Sequence, residues 1–143
     1  MFKHKISRKY AFSAAHRLEG HPKCGRLHGH NYVVEVWLEG PLKEGMVVDY
    51  GLMDHIVKPV IDEFDHRFIV SHENRDSNCV YTLEALRNKD AVDLPAERST
   101  AECLSKYFYE LFAVAFSKNP DFVHTVVAVS VMETEKSVAI YTP

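Results

Sequence analysis

The chain has 143 residues and 46% hydrophobic content, which suffices for one ordinary core and is short for two domains. A formal charge of −3 and a pI near 6.3 exclude a general nucleic-acid or anionic-membrane surface, which requires a concentrated basic excess. No apolar stretch approaches the roughly 18–20 residues of a membrane span and the N-terminus lacks a signal-like apolar run, so a soluble cytoplasmic protein is expected. Cys24, Cys79 and Cys103 are scattered and odd in number, which indicates no disulfide framework and suits a reducing compartment.

Residues 3–16 alternate and predict a strand with Ile6, Tyr10, Phe12, Ala14 and His16 on one face. The basic residues Lys3, Lys5, Arg8 and Lys9 interleave with that strand and read as a solvated face. Residues 28–39 predict a second strand, with His28, His30, Tyr32, Val34, Val36 and Leu38 facing one way and Val33, Glu35, Trp37 and Glu39 the other. Gly40-Pro41 and Gly45 punctuate a turn. Asp49 is then placed to cap a helix whose apolar positions are Leu52, Ile56, Val57, Val60, Ile61 and Phe64, with Pro59 expected to kink it.

From about Ser71 to Arg98 the periodicity is mixed; a short helix or hairpin is expected around Cys79 to Leu86, followed by a loop. Such a length is more than a plain connection needs, so it is expected to cover a site or fill a subunit contact. Ser99-Thr100-Ala101-Glu102 reads as a capping box opening a helix buried along Ala101, Leu104, Phe108, Leu111, Phe112 and Ala115. Asn119-Pro120-Asp121 ends it, and Val123 to Glu133 with Ser137 to Tyr141 form a closing hairpin. Strand, strand, helix, helix, strand, strand gives one α+β domain over residues 1–143, a four-stranded antiparallel sheet with two helices on one face.

Chemistry concentrates at the ends of the first two strands. His28 and His30, two apart on a strand, point the same way and can chelate one ion. His16 closes the other strand on its core face. Nine histidines in one chain produce chance pairs, but this pair is joined by His16 and by Cys24, a potential nucleophile or base four residues before His28. Three neutral imidazoles with a fourth position open make a catalytic zinc site. Glu133 ends an apolar strand where packing gives no reason for a carboxylate, and His66 sits favourably at a helix C-terminus.

The elements Phe12-Ser-Ala-Ala-His16, Cys24-x-x-x-His28-Gly-His30, Gly45-Met-Val-Val-Asp49, Asp65-His66, Thr100-Ala-Glu102 and Val131-Met-Glu133-Thr134 resemble the 6-pyruvoyl-tetrahydropterin synthase superfamily in order and spacing. The resemblance covers nearly the whole chain except Ser71 to Arg98. It implies the T-fold, in which subunits form a trimeric antiparallel barrel, commonly doubled to a hexamer, with active sites at subunit interfaces. It also implies zinc on His16, His28 and His30, Cys24 as the base, Asp65 and His66 as a proton relay with a neighbouring subunit's cysteine, and Glu133 as the anchor of the pterin. Pterin contacts are implied near Thr100 and Glu102, although Cys103 stands where many relatives have asparagine. Sequence neighbours rarely face each other, so no direct Asp65–His66 bond is expected.

The three-residue spacer between Cys24 and the His-Gly-His element is similar to that of the 6-carboxy-5,6,7,8-tetrahydropterin synthase branch, the enzymes of the queuosine route. That resemblance implies 7,8-dihydroneopterin triphosphate as substrate. The 6-pyruvoyl branch is the alternative product type, and a zinc-stabilised interaction module without catalysis is the alternative of another class. No glycine-rich phosphate loop is present, which leaves Arg17, Lys23, Arg26 and Lys136 as candidates for the triphosphate.

Overall fold

The two alternating segments pair with each other and form the middle of the sheet. In the computed structural model, which describes residues 2–143, β1 (Lys5–His16) runs antiparallel to β2 (His28–Glu39) with Phe12 opposite Tyr32 and His16 opposite His28. One face of this pair is buried over most of its length: Tyr10, Phe12, Ala14, Tyr32, Val34, Val36 and Leu38 are all less than a tenth exposed. The same alternation delivers His16 to the end of the core face, itself 1% exposed. Phe12 stacks on Tyr32 at 4.9 Å between ring centroids, and the Tyr32 ring in turn meets His16 and His30 edge-on.

Two helices cover that face. Asp49 caps α1 (Tyr50–Asp62) by accepting the Gly51 N–H at 2.6 Å, and the helix buries Met53, Val57 and Ile61. Met53 replaces Leu52 on the expected buried stripe, and the helix runs on through Pro59, which does not end it. The long helix Ala101–Ser117 buries Leu104, Ser105, Phe108, Phe112 and Phe116 against α1, the sheet and one another. Its cap differs from the expected box. Thr100 is the capping residue and accepts the Cys103 N–H at 3.3 Å, which frees Ser99 for a different task.

The four expected strands are present, and two short ones extend them. Beyond β1 and β2 the chain adds β3 (Arg67–Val70), α2 (His72–Asp76), α3 (Val80–Arg87) and β4 (Ala91–Asp93), before the long helix, α4, and the hairpin of β5 (Thr125–Thr134) and β6 (Ser137–Tyr141). The order is β4-β3-β1-β2-β5-β6, with β3 parallel to both β1 and β4 and the other pairs antiparallel. β3 escapes sequence reading because Phe68, Ile69 and Val70 are buried on both faces, which removes the period-two alternation, and β4 because it has only three residues. Phe68 and Val70 pack with Ala85 of α3, while Ile69 joins the main core. No helix among the described residues is long and apolar enough to cross a membrane.

Gly29 lies between the two metal-site candidates for a reason other than room between their rings. A Cβ on Gly29 would sit 2.8 Å from the Ala14 carbonyl oxygen, on the backbone of the partner strand. Gly29→Ala is therefore expected to push β1 and β2 apart where the histidines meet, at a cost of about 1–3 kcal/mol. Chemical denaturation checks this; stability equal to the parent would mean that the strands absorb the methyl group.

Candidate metal centre and substrate cavity

Register places the three histidines. His16 is directly across from His28, and Ala14 across from His30, so one strand crossing supplies three imidazoles to one corner of the core face. Their ligand atoms lie within 4.8 Å of one another, and ring centroids are 4.6–5.1 Å apart. His16 Nδ1–H donates to the Ser99 carbonyl at 2.9 Å, with the Ser99 hydroxyl 3.2 Å away. His28 Nδ1–H donates to the Arg26 carbonyl at 2.7 Å. A carbonyl can only accept, so both protons sit on Nδ1 and both Nε2 atoms carry the lone pair.

Those Nε2 atoms are buried and have no hydrogen-bond partner in the protein. An orphaned buried acceptor is costly, and two of them aimed at one point fit a cation. An all-imidazole set, with each outer nitrogen held by a carbonyl, suits zinc. Burial also keeps His16 neutral, its pKa lowered to about 4 against a weaker raising effect from Ser99, and burial lowers His30 in the same direction.

This neutrality has a measurable consequence for the metal-free protein. Between pH 6.5 and about 4 the unfolded chain binds a proton at His16 that the folded chain refuses. Stability is therefore full above the ordinary histidine pKa, falls as pH drops from about 6.5 to about 4, and levels off below; for His16 the loss is at most roughly 3 kcal/mol. Denaturant melts of chelator-treated protein across that range test it, and stability that rises toward pH 4 would contradict the assignment.

Glu133, on β5, reaches the same corner. Its two carboxylate oxygens lie 3.9 Å from His16 Nε2 and 4.0 Å from His30 Nε2. Burial raises its pKa above the usual carboxylate range; His28 acts against this and Glu102 with it. Glu133 and Glu102 line a cavity of about 400 Å³ with Ala101, Ser137, Val138, Ala139 and Ile140. Glu102 is thus beside the cavity in the first turn of α4 and takes no part in a capping box. Thr100 accepts the cap hydrogen bond through its hydroxyl oxygen, which leaves the O–H and the backbone for a ligand.

Asp65 and His66 follow α1, and His66 borders a second cavity, of about 650 Å³, lined also by His30, Asn31, Ser13, Gly29 and Asp90 among others. The two side chains do touch, contrary to expectation: His66 Nδ1 is 3.0 Å from Asp65 Oδ1. His66 adopts φ 59°, and that left-handed turn folds the ring back over its predecessor. Ser13 of β1 fixes the turn from both sides, donating its N–H to Asp65 and accepting the His66 N–H. The Ser13 N–H is also the main reason the Asp65 carboxyl stays below its ordinary pKa. The His66 ring itself is 82% exposed.

Cys24 lies on the loop between β1 and β2, half-buried, and is outside the cluster of three histidines. Its N–H donates to His21 Nδ1 at 2.8 Å. Arg17 is occupied internally, donating to the Gly25 carbonyl and pairing with Glu19, whereas Lys23, Arg26 and Lys136 make no ion pair among the described residues. His21 and Glu19 went unread in the sequence, and Ser99 was read as part of a capping box rather than as the partner of His16.

The sequence profile of the 6-pyruvoyl tetrahydropterin synthase family matches residues 5–143. The chain belongs to that family. A 6-carboxy-5,6,7,8-tetrahydropterin synthase from Haemophilus influenzae is 38% identical over 112 residues, covering 73% of this chain and 79% of that one. A protein from Archaeoglobus fulgidus, named as a putative enzyme of the same activity, is 50% identical over 60 residues, covering 41% of this chain and about half (52%) of its own length. Among solved structures, the Caenorhabditis elegans 6-pyruvoyl tetrahydropterin synthase superposes with a TM-score of 0.69 at 27% identity, covering 97% of this chain and 94% of that chain. The α+β architecture of this tetrahydropterin synthase family is the one described above.

Proposed function

We propose that the protein is a zinc-dependent 6-carboxy-5,6,7,8-tetrahydropterin synthase acting on 7,8-dihydroneopterin triphosphate in the queuosine route. The observation that carries this reading is the meeting of three imidazoles, two of them with orphaned buried Nε2 atoms, with the Glu133 carboxylate, which lines a cavity. His16, His28 and His30 hold the metal. Zinc, when bound, supplies a Lewis acid that polarises substrate side-chain oxygens and acidifies the adjacent C–H bonds.

The protein's own groups do the rest. Glu133 accepts two parallel hydrogen bonds from the pterin N3–H and 2-amino group, a bidentate fit that its desolvated setting strengthens, and Glu102 borders the same space. Cys24, as thiolate, removes side-chain protons. Asp65 holds His66 through Nδ1, leaving Nε2 free to carry a proton into the second cavity. Lys23, Arg26 and Lys136, none of them in an ion pair among the described residues, are the candidates for the triphosphate. Overall, water and the substrate give 6-carboxytetrahydropterin, acetaldehyde and triphosphate, and the ring is reduced by electrons from its own side chain.

Subunit association into a barrel is part of this proposal: His66 is largely exposed and the outer residues Val138 and Ile140 of edge strand β6 are more than half exposed in one protomer. The three-residue spacer favours the carboxy product over the pyruvoyl one. A structural zinc module closed by Cys24 fits less well, because the cysteine is outside the ligand cluster. Incubation of zinc-loaded protein with 7,8-dihydroneopterin triphosphate and mass analysis of the pterin decides the matter. The carboxy product with acetaldehyde supports the proposal, a pyruvoyl product moves the enzyme to the other branch, and no consumption sinks both.

A further inference from the structure

Residues 71–98 contribute no group to the chemistry above, yet their first helix is tied closely to the loop that carries Cys24. Glu73 of α2 uses both carboxylate oxygens: one accepts the Glu19 N–H at 2.7 Å and the other accepts Arg98 Nε at 2.7 Å. Arg98 then donates from Nη2 to the Glu19 carbonyl at 3.0 Å. The backbone of Glu19 is thereby clamped on both its N–H and its C=O by one ion pair.

Next to it, the fully buried Asn74 donates to the Arg17 carbonyl and to Glu19 Oε1, both at 3.0 Å. The loop passes this constraint on. Arg17 Nε holds the Gly25 carbonyl at 2.7 Å, the Leu18 N–H holds the Cys24 carbonyl at 2.8 Å, and the Gly25 N–H holds the His21 carbonyl at 2.9 Å. A Cβ on Gly25 would lie 2.5 Å from that His21 oxygen, so the loop has no slack there. Cys24 is thus held between residues 17–19 and 25, and the first of these anchors is set by α2.

We propose that Glu73 is a positioning residue for Cys24, and that the segment beginning at Ser71 serves to hold the cysteine loop in its working geometry. The proposal rests on reading Cys24 as the base. Charge-assisted bonds to Glu73 are the strong ones in this network, and removing the carboxylate leaves the Glu19 N–H without its acceptor and Arg98 without its partner. A displacement of the base by ~1 Å is enough to cost on the order of 100-fold in rate.

The test uses the full zinc-loaded chain carrying Glu73→Ala, with Glu73→Gln as the conservative variant that retains an acceptor for the Glu19 N–H. For Glu73→Ala, kcat is expected to fall about 10-fold or more with KM and zinc content close to the parent, and for Glu73→Gln a substantial part of kcat returns. Iodoacetamide labelling read by peptide mass mapping is expected to quicken at Cys24 while Cys103 is unchanged. Parent-like kcat and Cys24 labelling overturn the proposal, as does a general loss of thermal stability in which Cys24 and Cys103 both label faster. If Glu73→Ala does not fold, the same readouts on Glu73→Gln and Arg98→Lys decide. Labelling reports the loop whether or not Cys24 is the base, so turnover retained by Cys24→Ala would sink the catalytic reading separately.

Discussion

Replacing Cys24 by alanine is expected to abolish most turnover while leaving the metal in place. Proton transfer by a positioned side chain contributes about 10²–10⁴-fold, and that is the fall expected in kcat. The histidine cluster is complete without the cysteine, so zinc content by atomic absorption should match the parent. The fold should survive as well, since Cys24 is half-buried on a loop and its backbone bonds to Leu18 and His21 do not involve the thiol. Zinc and stability lost together would instead point to a closed structural site with Cys24 as its fourth ligand.

His28→Ala is expected to give the converse pattern, with metal and activity lost and the fold kept. Even loss of a group that merely orients a ligand weakens metal binding about 10–100-fold, so loss of a ligand should exceed that range. The effect on the metal-free protein runs the other way. His28 Nε2 is an orphaned buried nitrogen, and removing it relieves a desolvation cost, so metal-free His28→Ala should be at least as stable as the metal-free parent. Added zinc should raise the melting temperature of the parent and not of the variant, because only a folded state that binds the ion is stabilised by it. A melting temperature that responds equally in both proteins would place the metal elsewhere.

The two predictions draw on different levels of information. Alternation along residues 5–16 and 28–39 identified His16, His28 and His30 as sharing a face, and the pattern is readable because that face is buried from Tyr10 to His16 on β1 and from Tyr32 to Leu38 on β2. Caps and stripes were legible to within a residue. Asp49 capped as expected, whereas the α4 cap moved from Ser99 to Thr100 because the Ser99 carbonyl and hydroxyl are taken by His16. Strands β3 and β4 were not legible: Phe68 to Val70 of β3 are buried on both faces and show no alternation, and the three residues of β4 are too few to show a period.

The Asp65–His66 contact shows the same divide at a smaller scale. Adjacent residues point apart in ordinary backbone, and only the left-handed φ at His66, pinned by Ser13 from another strand, brings them together. The clamp on Glu19 depends on residues 54 and 79 positions away along the chain, which no local pattern connects.

Local chemistry, written in periodicity and in motifs, marked the candidate side chains: three imidazoles, a thiol, a carboxylate at a strand end and an Asp-His pair. Long-range pairing settled which of them meet. The register of β1 on β2 brought the imidazoles within reach of one ion, the β2–β5 pairing helped bring Glu133 within 4.0 Å of two of them, and α2 took hold of the cysteine loop. Side-chain direction follows from the backbone within a few residues, but distance between segments is fixed only when the hydrophobic face has closed and its strands have chosen partners.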